Sequence, residues 1–377
     1  MKELDLKLNM VFGAGSTDSL AMFQNKNVTI VTDPIMKKLG KTDAIEDVLR
    51  TCSVTVFDKI LPDPTLSQVS DCFSYCTAKR SDVIVAFGGG SAIDTVKAVM
   101  LVYKNAGMEK PFFAAIPTTS GTGSEVTNYT VVTDESVGRK IPIADDIMIP
   151  DLAILDYTYT KSVPASVTAF TGMDVITHAM EAYVAKNANP LTDAYAEKAL
   201  KMAFKALPEA FKDGDNDAAR ENMQMASYMA GIAFTKAGLG ICHSLAHAIG
   251  AAFHIPHGLA NSICLPSVVA YNASMDVPFG TDKSETAARY AEISHIIGLP
   301  GAGVRLSVQY LIKDLEKLQG MMNLPKTLAQ AGVTQSDYNE KKQFIINSAL
   351  ADMCTTVNPK EIDSVAFGKL LDKIYKG

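Results

Sequence analysis

The sequence lacks the features that mark a membrane protein or a nucleic-acid-binding protein. Its 377 residues contain 35 Lys and Arg against 41 Asp and Glu, and no Lys/Arg cluster offsets the formal net charge of −6, which argues against a nucleic-acid or anionic-membrane partner. The most apolar stretch, 225–235, is too short to span a bilayer. The amino-terminal MKELDLKLNM has no apolar segment of the kind found in signal peptides. We therefore expect a soluble, cytoplasmic protein.

Cysteine pairs with metal-binding or redox spacing are also missing, because the 6 cysteines are scattered without a CxxC motif. Cys72 and Cys76 lie four residues apart and share a helical face with Leu66, Val69 and Phe73. This pattern predicts two buried thiols rather than a disulfide or a pair of ligands.

The chain is long enough for two domains, and the pattern of the sequence changes near residue 158. The first part alternates β-branched runs with amphipathic stretches, which predicts an α/β domain with a mostly parallel sheet over residues 1–158. Helix starts are expected at Asp43, Thr65 and Ser91. The rest of the sequence predicts an all-helical domain over 159–377. Strands are predicted at Val28–Thr32, Val54–Phe57, Val83–Phe87, Phe112–Ile116, Val131–Thr133 and the short run Ile154–Leu155.

Two glycine-containing loops follow predicted strands of the first part. The segment Gly88-Gly89-Gly90-Ser91-Ala92-Ile93-Asp94 leads directly into a helix, where free backbone N–H groups suit a phosphate. It is not a GxGxxG motif, and a tight strand-to-helix turn with Ser91 as N-cap is the alternative interpretation. The second loop, residues 117–124, offers hydroxyl groups for ribose and phosphate, although polar turns of this composition are common. Two such loops at the carboxyl ends of strands favour nucleotide binding.

Asp33 closes the predicted strand Val28–Thr32 and has two interpretations. A carboxylate at a strand end can accept a hydrogen bond from an adenosine ribose and repel a 2′-phosphate, which favours NAD over NADP. Asp33-Pro34 is equally well suited to be an N-cap followed by Pro at the first helical position. The two roles are compatible with each other.

Five of the 6 histidines lie between residues 178 and 257. Asp174 and His178 form one i,i+4 pair in a helical pattern, His243 and His247 form a second, and His257 follows Pro256. A lone histidine on an apolar face is usually a core residue, but burying so many imidazoles with a carboxylate is costly without a shared partner. The spacing therefore predicts a metal site, and the residue types do not distinguish iron from zinc.

With these motifs in place, the sequence resembles the iron-containing (group III) alcohol dehydrogenases along nearly its whole length. The resemblance is carried by GGGSAID at 88–94, PTTSGTGSEVT at 117–127, GMDVITHAMEAY at 172–183 and GLGICHSLAHAIGAAFHIPHG at 238–258. Short propanol and ethanol dehydrogenases of bacterial microcompartments are the most similar group, together with lactaldehyde reductases. The resemblance implies a dinucleotide-binding domain followed by a helical metal-binding domain, as in dehydroquinate synthase, and a homodimer or larger assembly.

The resemblance also implies roles for individual residues. The implied metal ligands are Asp174, His178, His243 and His257, which hold Fe²⁺, or Zn²⁺ as an alternative. His247 is implied to be a catalytic residue beside the substrate rather than a ligand. The implied contacts of NAD(H) are Asp33, Gly88, Gly89, Gly90, Ser91, Asp94, Thr118, Thr119, Thr122, Val131 and Lys140. The implied substrate pocket contains Phe234, Phe253 and Cys354.

His254 has no counterpart that the family pattern predicts. On a continuous helix it would point in the same direction as His243, so we expect it to lie in the core or behind the metal ligands.

The predicted activity is hydride transfer between NAD(H) and a small alcohol or aldehyde such as propanol, ethanol, 1,2-propanediol with lactaldehyde, or 1,3-propanediol. The metal would polarise the substrate oxygen, and His247 would move the hydroxyl proton. A zinc-dependent lyase like dehydroquinate synthase is a rival, but it needs basic residues that the metal-binding segments lack. A non-catalytic module that binds NAD and metal is a second rival, and it would have no use for His247.

Overall fold

The computed structural model describes residues 9–136, 139–301 and 303–377, with every side chain in these ranges except those of Arg139 and Lys140. The chain divides into two compact units. The first contains the residues up to Val163 together with 215–228, and the second contains 164–214 and 229–377. The assignment of a separate function to each part of the chain is still a prediction.

The first unit is built on a parallel sheet of six strands. The strands are β1 (Met10–Phe12), β2 (Asn27–Thr32), β3 (Ser53–Phe57), β4 (Val83–Gly88), β5 (Phe112–Pro117) and β8 (Leu152–Leu155), and their order across the sheet is β1-β8-β5-β4-β2-β3. All pairs within it are parallel. The predicted parallel sheet is confirmed, and the short strand β1 was not predicted.

A separate two-stranded sheet contains the predicted strand Val131–Thr133. Here β6 (Tyr129–Asp134) pairs in antiparallel fashion with β7 (Arg139–Ala144), which the sequence did not reveal. Lys140 lies in β7 opposite Thr133.

Helices and short 3-10 turns cover the two faces of the large sheet. The α-helices are α1 (Pro34–Lys38), α2 (Lys41–Val48), α3 (Leu66–Ala78) and α4 (Gly90–Asn105), and the 3-10 turns are Ser16–Met22, Ser124–Val126, Asp146–Met148 and Tyr157–Thr160. The apolar face of α3 buries Cys72 and Cys76 completely, both as free thiols, which confirms that prediction. Two clusters of buried apolar residues pack on opposite faces of the sheet. The ends of the strands lie beyond these clusters and form the polar edge of the sheet.

Helix starts in this unit follow the sequence only in part. Thr65 caps α3 by accepting the backbone N–H of Gln68 at 3.2 Å, as predicted. The expectations for Asp43 and Ser91 are wrong, because α2 starts from Gly40 and α4 from Gly89. In both cases a glycine backbone turns the chain into the helix two or three residues earlier, so no side-chain cap is used.

The second unit is helical, as predicted. Its helices are α5 (Ala165–Val184), α6 (Pro190–Lys212), the later part of α7 (Asp217–Ala237), α8 (Ile241–Phe253), α9 (His257–Asn272), α10 (Glu285–Ile296), α11 (Val304–Met321), α12 (Gln335–Ala351), α13 (Met353–Thr356) and α14 (Ser364–Lys376), with a 3-10 turn at Thr281–Lys283. Helix α5 packs against α6 and α9, and α8 packs against α9 and α12. None of the helices described has both the length and the apolar character needed to cross a membrane.

Candidate metal centre and nucleotide-binding loops

Helix α5 carries the first pair of predicted ligands. Its 20 residues are rich in Ala, Met and Val and are buried over most of their length, so polar residues in it need a specific partner. Asp174 and His178 lie one turn apart on the same face, and the His178 Nε2 stands 3.9 Å from the Asp174 Oδ1. Their side chains are only 5% and 6% exposed.

Two further helices bring the remaining predicted ligands to this face. Helix α8 places His243 in its first turn, and His257 is the first residue of α9, where Pro256 serves as N-cap. Gly258 lets α9 approach α5 closely, because a Cβ built there would lie 2.1 Å from the Phe170 carbonyl oxygen. Three helices thus converge at the level of Asp174.

The distances between ligand atoms fit a single metal ion. The Nε2 atoms of His243 and His257 each lie 3.6 Å from the Asp174 Oδ1, and the ligand atoms of these three residues all lie within 4.8 Å of one another. Ligand atoms around a tetrahedral ion with bonds of about 2.0–2.3 Å lie roughly 3.3–3.8 Å apart. His178 is outside this trio but adjoins it, with its ring stacked on His243 at a centroid distance of 4.6 Å.

The amide of Asn261 lies at the point where the ligand atoms converge. Its Nδ2 donates to the Asp174 Oδ1 at 2.7 Å and lies 3.2 Å from the Nε2 atoms of both His243 and His257. A carboxylate oxygen and two imidazole nitrogens therefore face one electropositive group. That arrangement suits a cation, so the residues fit the metal that the sequence pattern implies.

Charge within the cluster is balanced by the imidazoles. Burial opposes ionisation of Asp174, but His178, His257 and His243 together hold the pKa of this carboxyl well below its usual range. Burial also opposes protonation of His243, yet hydrogen bonds to Asp174 and Glu181 raise its pKa to about 9. The pKa of His257 is lowered by desolvation on the side that packs against the cluster and by the neighbouring imidazoles of His247, His243 and His178, so this imidazole stays neutral although its outer side is exposed. The cluster has an anionic carboxylate that only a proton or a metal can neutralise.

The site is open at His257. The side chain of His257 is 39% exposed, whereas those of Asp174, His178 and His243 are at most 6% exposed. A metal held here would keep a face accessible to a substrate, as a catalytic metal requires.

His247 stands beside the predicted ligands and has a partner of its own. It lies one turn after His243 on α8, and its ring stacks on that of His257 at a centroid distance of 5.2 Å. The His247 Nδ1 donates to the Asp352 Oδ2 at 2.8 Å. Despite the burial of Asp352, this hydrogen bond lowers the pKa of that carboxyl to about 2. The bond to Asp352 leaves the Nε2 of His247 as a proton acceptor.

The three predicted pocket residues all lie in the second unit. Phe234 stacks on His178 with a centroid distance of 4.5 Å. The Cys354 backbone N–H donates to Asp352, and its thiol belongs to a group with Asp352 and His247. Phe253 is the last residue of α8 and is half-buried. Phe234 and Cys354 are thus brought beside the histidines, whereas no ring contact places Phe253 there.

The expectation for His254 is wrong. Helix α8 ends at Phe253, and His254 is its C-cap in the left-handed conformation, with φ of 56°. The side chain is exposed and therefore lies neither in the core nor behind His243. The reversal of the chain at this position is what allows His257 to begin a new helix.

In the first unit, both glycine-containing loops and Asp33 meet at one edge of the sheet. Strands β2, β4 and β5 are neighbours, and their carboxyl ends lead to Asp33, to Gly88 and to Thr118. The Thr118 N–H donates to the Gly88 carbonyl at 3.0 Å. The two loops also touch, because Cβ atoms built at Gly89 and Gly90 would lie 3.4 Å from Thr119 and 2.8 Å from Thr122.

The start of α4 suits a phosphate group. Gly89 is the N-cap and offers no side-chain hydrogen bond, so among the described residues the first turn of this 16-residue helix has no side-chain acceptor. Free N–H groups at a helix N-terminus attract anions. Ser91 lies within this first turn and is half-buried.

Asp33 is an N-cap and also faces the glycine loop. Its Oδ1 accepts the N–H groups of Ile35 at 2.8 Å and Met36 at 3.0 Å. Its Oδ2 points toward Gly88, where a built Cβ would lie 3.6 Å away. One oxygen thus serves the helix while the other faces the edge where the loops meet.

Asp94 and Val131 contact each other. The Asp94 carboxylate accepts the Ser124 hydroxyl at 2.5 Å and the Val131 N–H at 3.5 Å. Asp94 thus ties α4 to the second loop and to β6. The side chain of Lys140 falls outside the part of the chain that the structure describes.

Sequence reasoning missed two residues of the metal centre, Glu181 and Asn261. Glu181 accepts the Nδ1–H of His243 at 2.6 Å, and Asn261 contacts three of the predicted ligands. The signal that could have found them is helical spacing, because Glu181 follows His178 by three residues and Asn261 follows His257 by four.

Comparison with known proteins gives matches in both parts of the chain. The iron-containing alcohol dehydrogenase family model matches residues 8–157, and the model of the C-terminal part of the Fe-containing alcohol dehydrogenase family matches residues 168–375. The chain is 38% identical over 375 residues to 1-propanol dehydrogenase PduQ of Citrobacter freundii, which covers 99% of this chain and 100% of that protein.

Two solved structures are similar over nearly the whole chain. A 1,3-propanediol oxidoreductase is 29% identical with a TM-score of 0.89, covering 99% of this chain and 100% of that one. The sulfoacetaldehyde reductase of Bifidobacterium kashiwanohense, in complex with NAD⁺, is 27% identical with a TM-score of 0.87, covering 100% of this chain and 99% of that one.

Proposed function

Because the chain belongs to the iron-containing alcohol dehydrogenase family, we propose that it interconverts a short-chain primary alcohol and its aldehyde, with propanol and propanal as the first candidates. Like the family to which it belongs, the chain is an NAD(H)-dependent oxidoreductase with iron as its metal. The observation that carries the proposal is the convergence of Asp174, His243 and His257 on one point in the second unit.

Asp174, His178, His243 and His257 are the proposed metal ligands. The 3.6 Å spacings from the Asp174 Oδ1 support three of them, and the position of His178 one turn after Asp174 supports the fourth. When bound, the metal supplies a Lewis acid for the substrate oxygen. The exposed face at His257 is where that oxygen would enter.

His247 is proposed to move the hydroxyl proton. Its hydrogen bond to Asp352 fixes the ring and keeps the proton on Nδ1, so that Nε2 can accept a proton from an alcohol or return one to an alkoxide. The ring of His247 lies one turn after His243, with the two ring centroids 6.0 Å apart, which supports a role beside the proposed metal ligands rather than as one of them.

The loops at the sheet edge are proposed to bind NAD(H). The N-terminus of α4, formed by Gly89, Gly90 and Ser91, would receive the pyrophosphate, and the threonines of residues 118–122 would lie beside it. The Oδ2 of Asp33 would accept a ribose hydroxyl and disfavour a 2′-phosphate. The proposed set of residues for NAD(H) binding also includes Gly88, Asp94, Val131 and Lys140. Of these, Asp94 is proposed to support the loops rather than to contact the cofactor.

Short, uncharged substrates are favoured by the residues near the histidines. Phe234 stacks on His178 and Cys354 lies beside His247, so these two side chains offer apolar surface next to the histidines. 1-Propanol is the substrate named for the relative from Citrobacter freundii. 1,3-Propanediol is the second candidate, because it is named for a solved structure of the same fold at 29% identity. Phe253 is retained as a pocket residue on the family resemblance alone.

A steady-state assay with NADH and a panel of aldehydes tests the proposal. NADH should be consumed in proportion to turnover when the substrate is propanal, acetaldehyde, lactaldehyde or 3-hydroxypropanal. We expect kcat/KM to be highest for the short unbranched aldehydes. A lyase of the dehydroquinate synthase type would use NAD without net consumption, and a non-catalytic module would consume none. The variant Asp174→Ala is the matched control, because it removes the carboxylate that lies 3.6 Å from both His243 and His257 and should abolish the rate.

Assembly and location are proposed on the family resemblance. A homodimer or larger oligomer is expected and can be checked by light scattering of the purified protein. Association with a bacterial microcompartment is expected for a propanol dehydrogenase of this group and can be checked by co-purification with shell proteins.

A further inference from the structure

Glu181 is a buried carboxylate beside the metal centre that none of the proposed roles includes. It lies on α5 three residues after His178 and is 2% exposed. We propose that Glu181 is a positioning residue that fixes the tautomer and orientation of His243, so that the Nε2 of His243 is available to the metal. The inference rests on the proposed role of His243 as a ligand.

The contacts of Glu181 hold both the ring and the backbone of His243. Its Oε2 lies 2.6 Å from the Nδ1 of His243 and 3.3 Å from the backbone nitrogen of the same residue. Its Oε1 accepts the Cys242 N–H at 2.7 Å. An ionised carboxylate can only accept, so the ring proton belongs on Nδ1. The Nε2 then faces Asp174, where a bound metal would take the place of the proton that this nitrogen carries in the metal-free protein.

The fold compensates the burial of this carboxylate. Helix α8 begins at Ile241, and its N-cap is Gly240, which has no side chain to accept the first N–H groups. Glu181 accepts two of them from another helix, where its negative charge is also favourable for the helix dipole. Gly240 is needed for this approach, because a Cβ there would lie 2.7 Å from the Glu181 Oε1. One carboxylate therefore both caps α8 and orients its first-turn histidine.

The same helix end has a second cap that does not touch the histidine. The Asn358 Oδ1 accepts the Ile241 N–H at 3.2 Å, and a Cβ at Gly240 would lie 2.8 Å from it. Asn358 therefore offers a matched control, because its replacement disturbs the start of α8 and leaves the ring of His243 untouched.

The test is the metal affinity of Glu181→Gln and Asn358→Ala, measured on the metal-stripped full chain by titration with Co²⁺ against a competing chelator. Loss of a partner behind a ligating histidine typically weakens metal binding by roughly 10- to 100-fold. We expect that loss in Glu181→Gln, with a changed visible spectrum of the bound cobalt and unchanged NADH affinity. Asn358→Ala should unfold at a lower temperature yet bind Co²⁺ within about twofold of the wild type.

Further variants distinguish a positioning role of Glu181 from helix capping alone. Glu181→Asp retains the carboxylate and should recover part of the affinity, which also covers the case in which Glu181→Gln does not fold. Equal losses of affinity in Glu181→Gln and Asn358→Ala would overturn the inference, since helix capping alone would then explain them. Wild-type affinity in Glu181→Gln would overturn it as well. If His243→Ala still binds metal normally, the proposed ligand set fails instead.

Discussion

Gly258 is the residue at which one added methyl group should separate two of the proposed metal ligands. A Cβ at this position would lie 2.1 Å from the carbonyl oxygen and 2.7 Å from the carbonyl carbon of Phe170. Both are backbone atoms of α5 and cannot rotate away. An ordinary contact needs about 1 Å more, so in Gly258→Ala the N-terminus of α9 must move away from α5 by about that distance.

The displacement acts directly on the metal centre. His257 precedes Gly258, and its Nε2 stands 3.6 Å from the Oδ1 of Asp174, which is on the opposing helix. Metal–ligand bonds tolerate about 0.2 Å, and a misplacement of about 1 Å can reduce catalysis by roughly 100-fold. We therefore expect Gly258→Ala to lose most of its bound metal and about two orders of magnitude of kcat/KM, with a stability cost of about 1–3 kcal/mol for overpacking.

The assay combines metal analysis with NADH-linked turnover, and Gly172→Ala is the control. A Cβ at Gly172, also on α5, would lie 2.2 Å from the Leu207 Cδ1. That atom is the end of a flexible side chain that can repack, so Gly172→Ala should lose stability but keep its metal. If Gly258→Ala binds metal and turns over like the wild type, the argument that close helix packing sets the ligand geometry is refuted.

Three further predictions concern other residues. His247→Gln should keep its metal and NADH affinity while kcat falls by roughly 10²–10⁴-fold, and metal loss in this variant would make His247 a ligand. Asp33→Gly should raise the use of NADPH and weaken NADH binding by about ten- to a hundredfold, whereas a change in thermal stability alone would leave Asp33 only its capping role. Burial lowers the pKa of Lys97 from 10.5 to about 8, so the unfolded state binds more protons between these pH values. As pH rises from 8 to 10.5, the free energy of unfolding of the wild type should therefore increase relative to that of Lys97→Met by on the order of 3 kcal/mol. A difference between the two free energies of unfolding that stays constant over this pH range, measured by urea denaturation, would contradict this.

Local sequence signals were sufficient for the elements that carry the site. The i,i+4 pairs of Asp174 with His178 and of His243 with His247 lie on continuous helices, so their spacing predicted their common faces. The loop at Gly88 was predictable because a buried strand and a long helix flank it.

The residues that sequence reasoning missed depend on contacts between distant segments. Glu181 meets His243 across 62 positions, and helical spacing places Glu181 near the face of His178 without showing which side chain it contacts. His254 was misjudged because the end of α8 depends on one residue in the left-handed conformation, which is uncommon for any residue other than glycine and is not marked by a local sequence pattern here. The N-caps at Gly40 and Gly89 were not predicted for a related reason, since each helix starts from a glycine backbone and not from a capping side chain.

The central claim is that Asp174, His178, His243 and His257 hold one catalytic iron. The measurement that tests it most directly is the metal content of anaerobically purified protein and of the four single alanine variants, with NADH-linked turnover of propanal on the same samples. We expect one iron per chain in the wild type and a joint loss of iron and activity in each variant. Metal content near that of the wild type in His257→Ala, or full activity in any variant without metal, would contradict it.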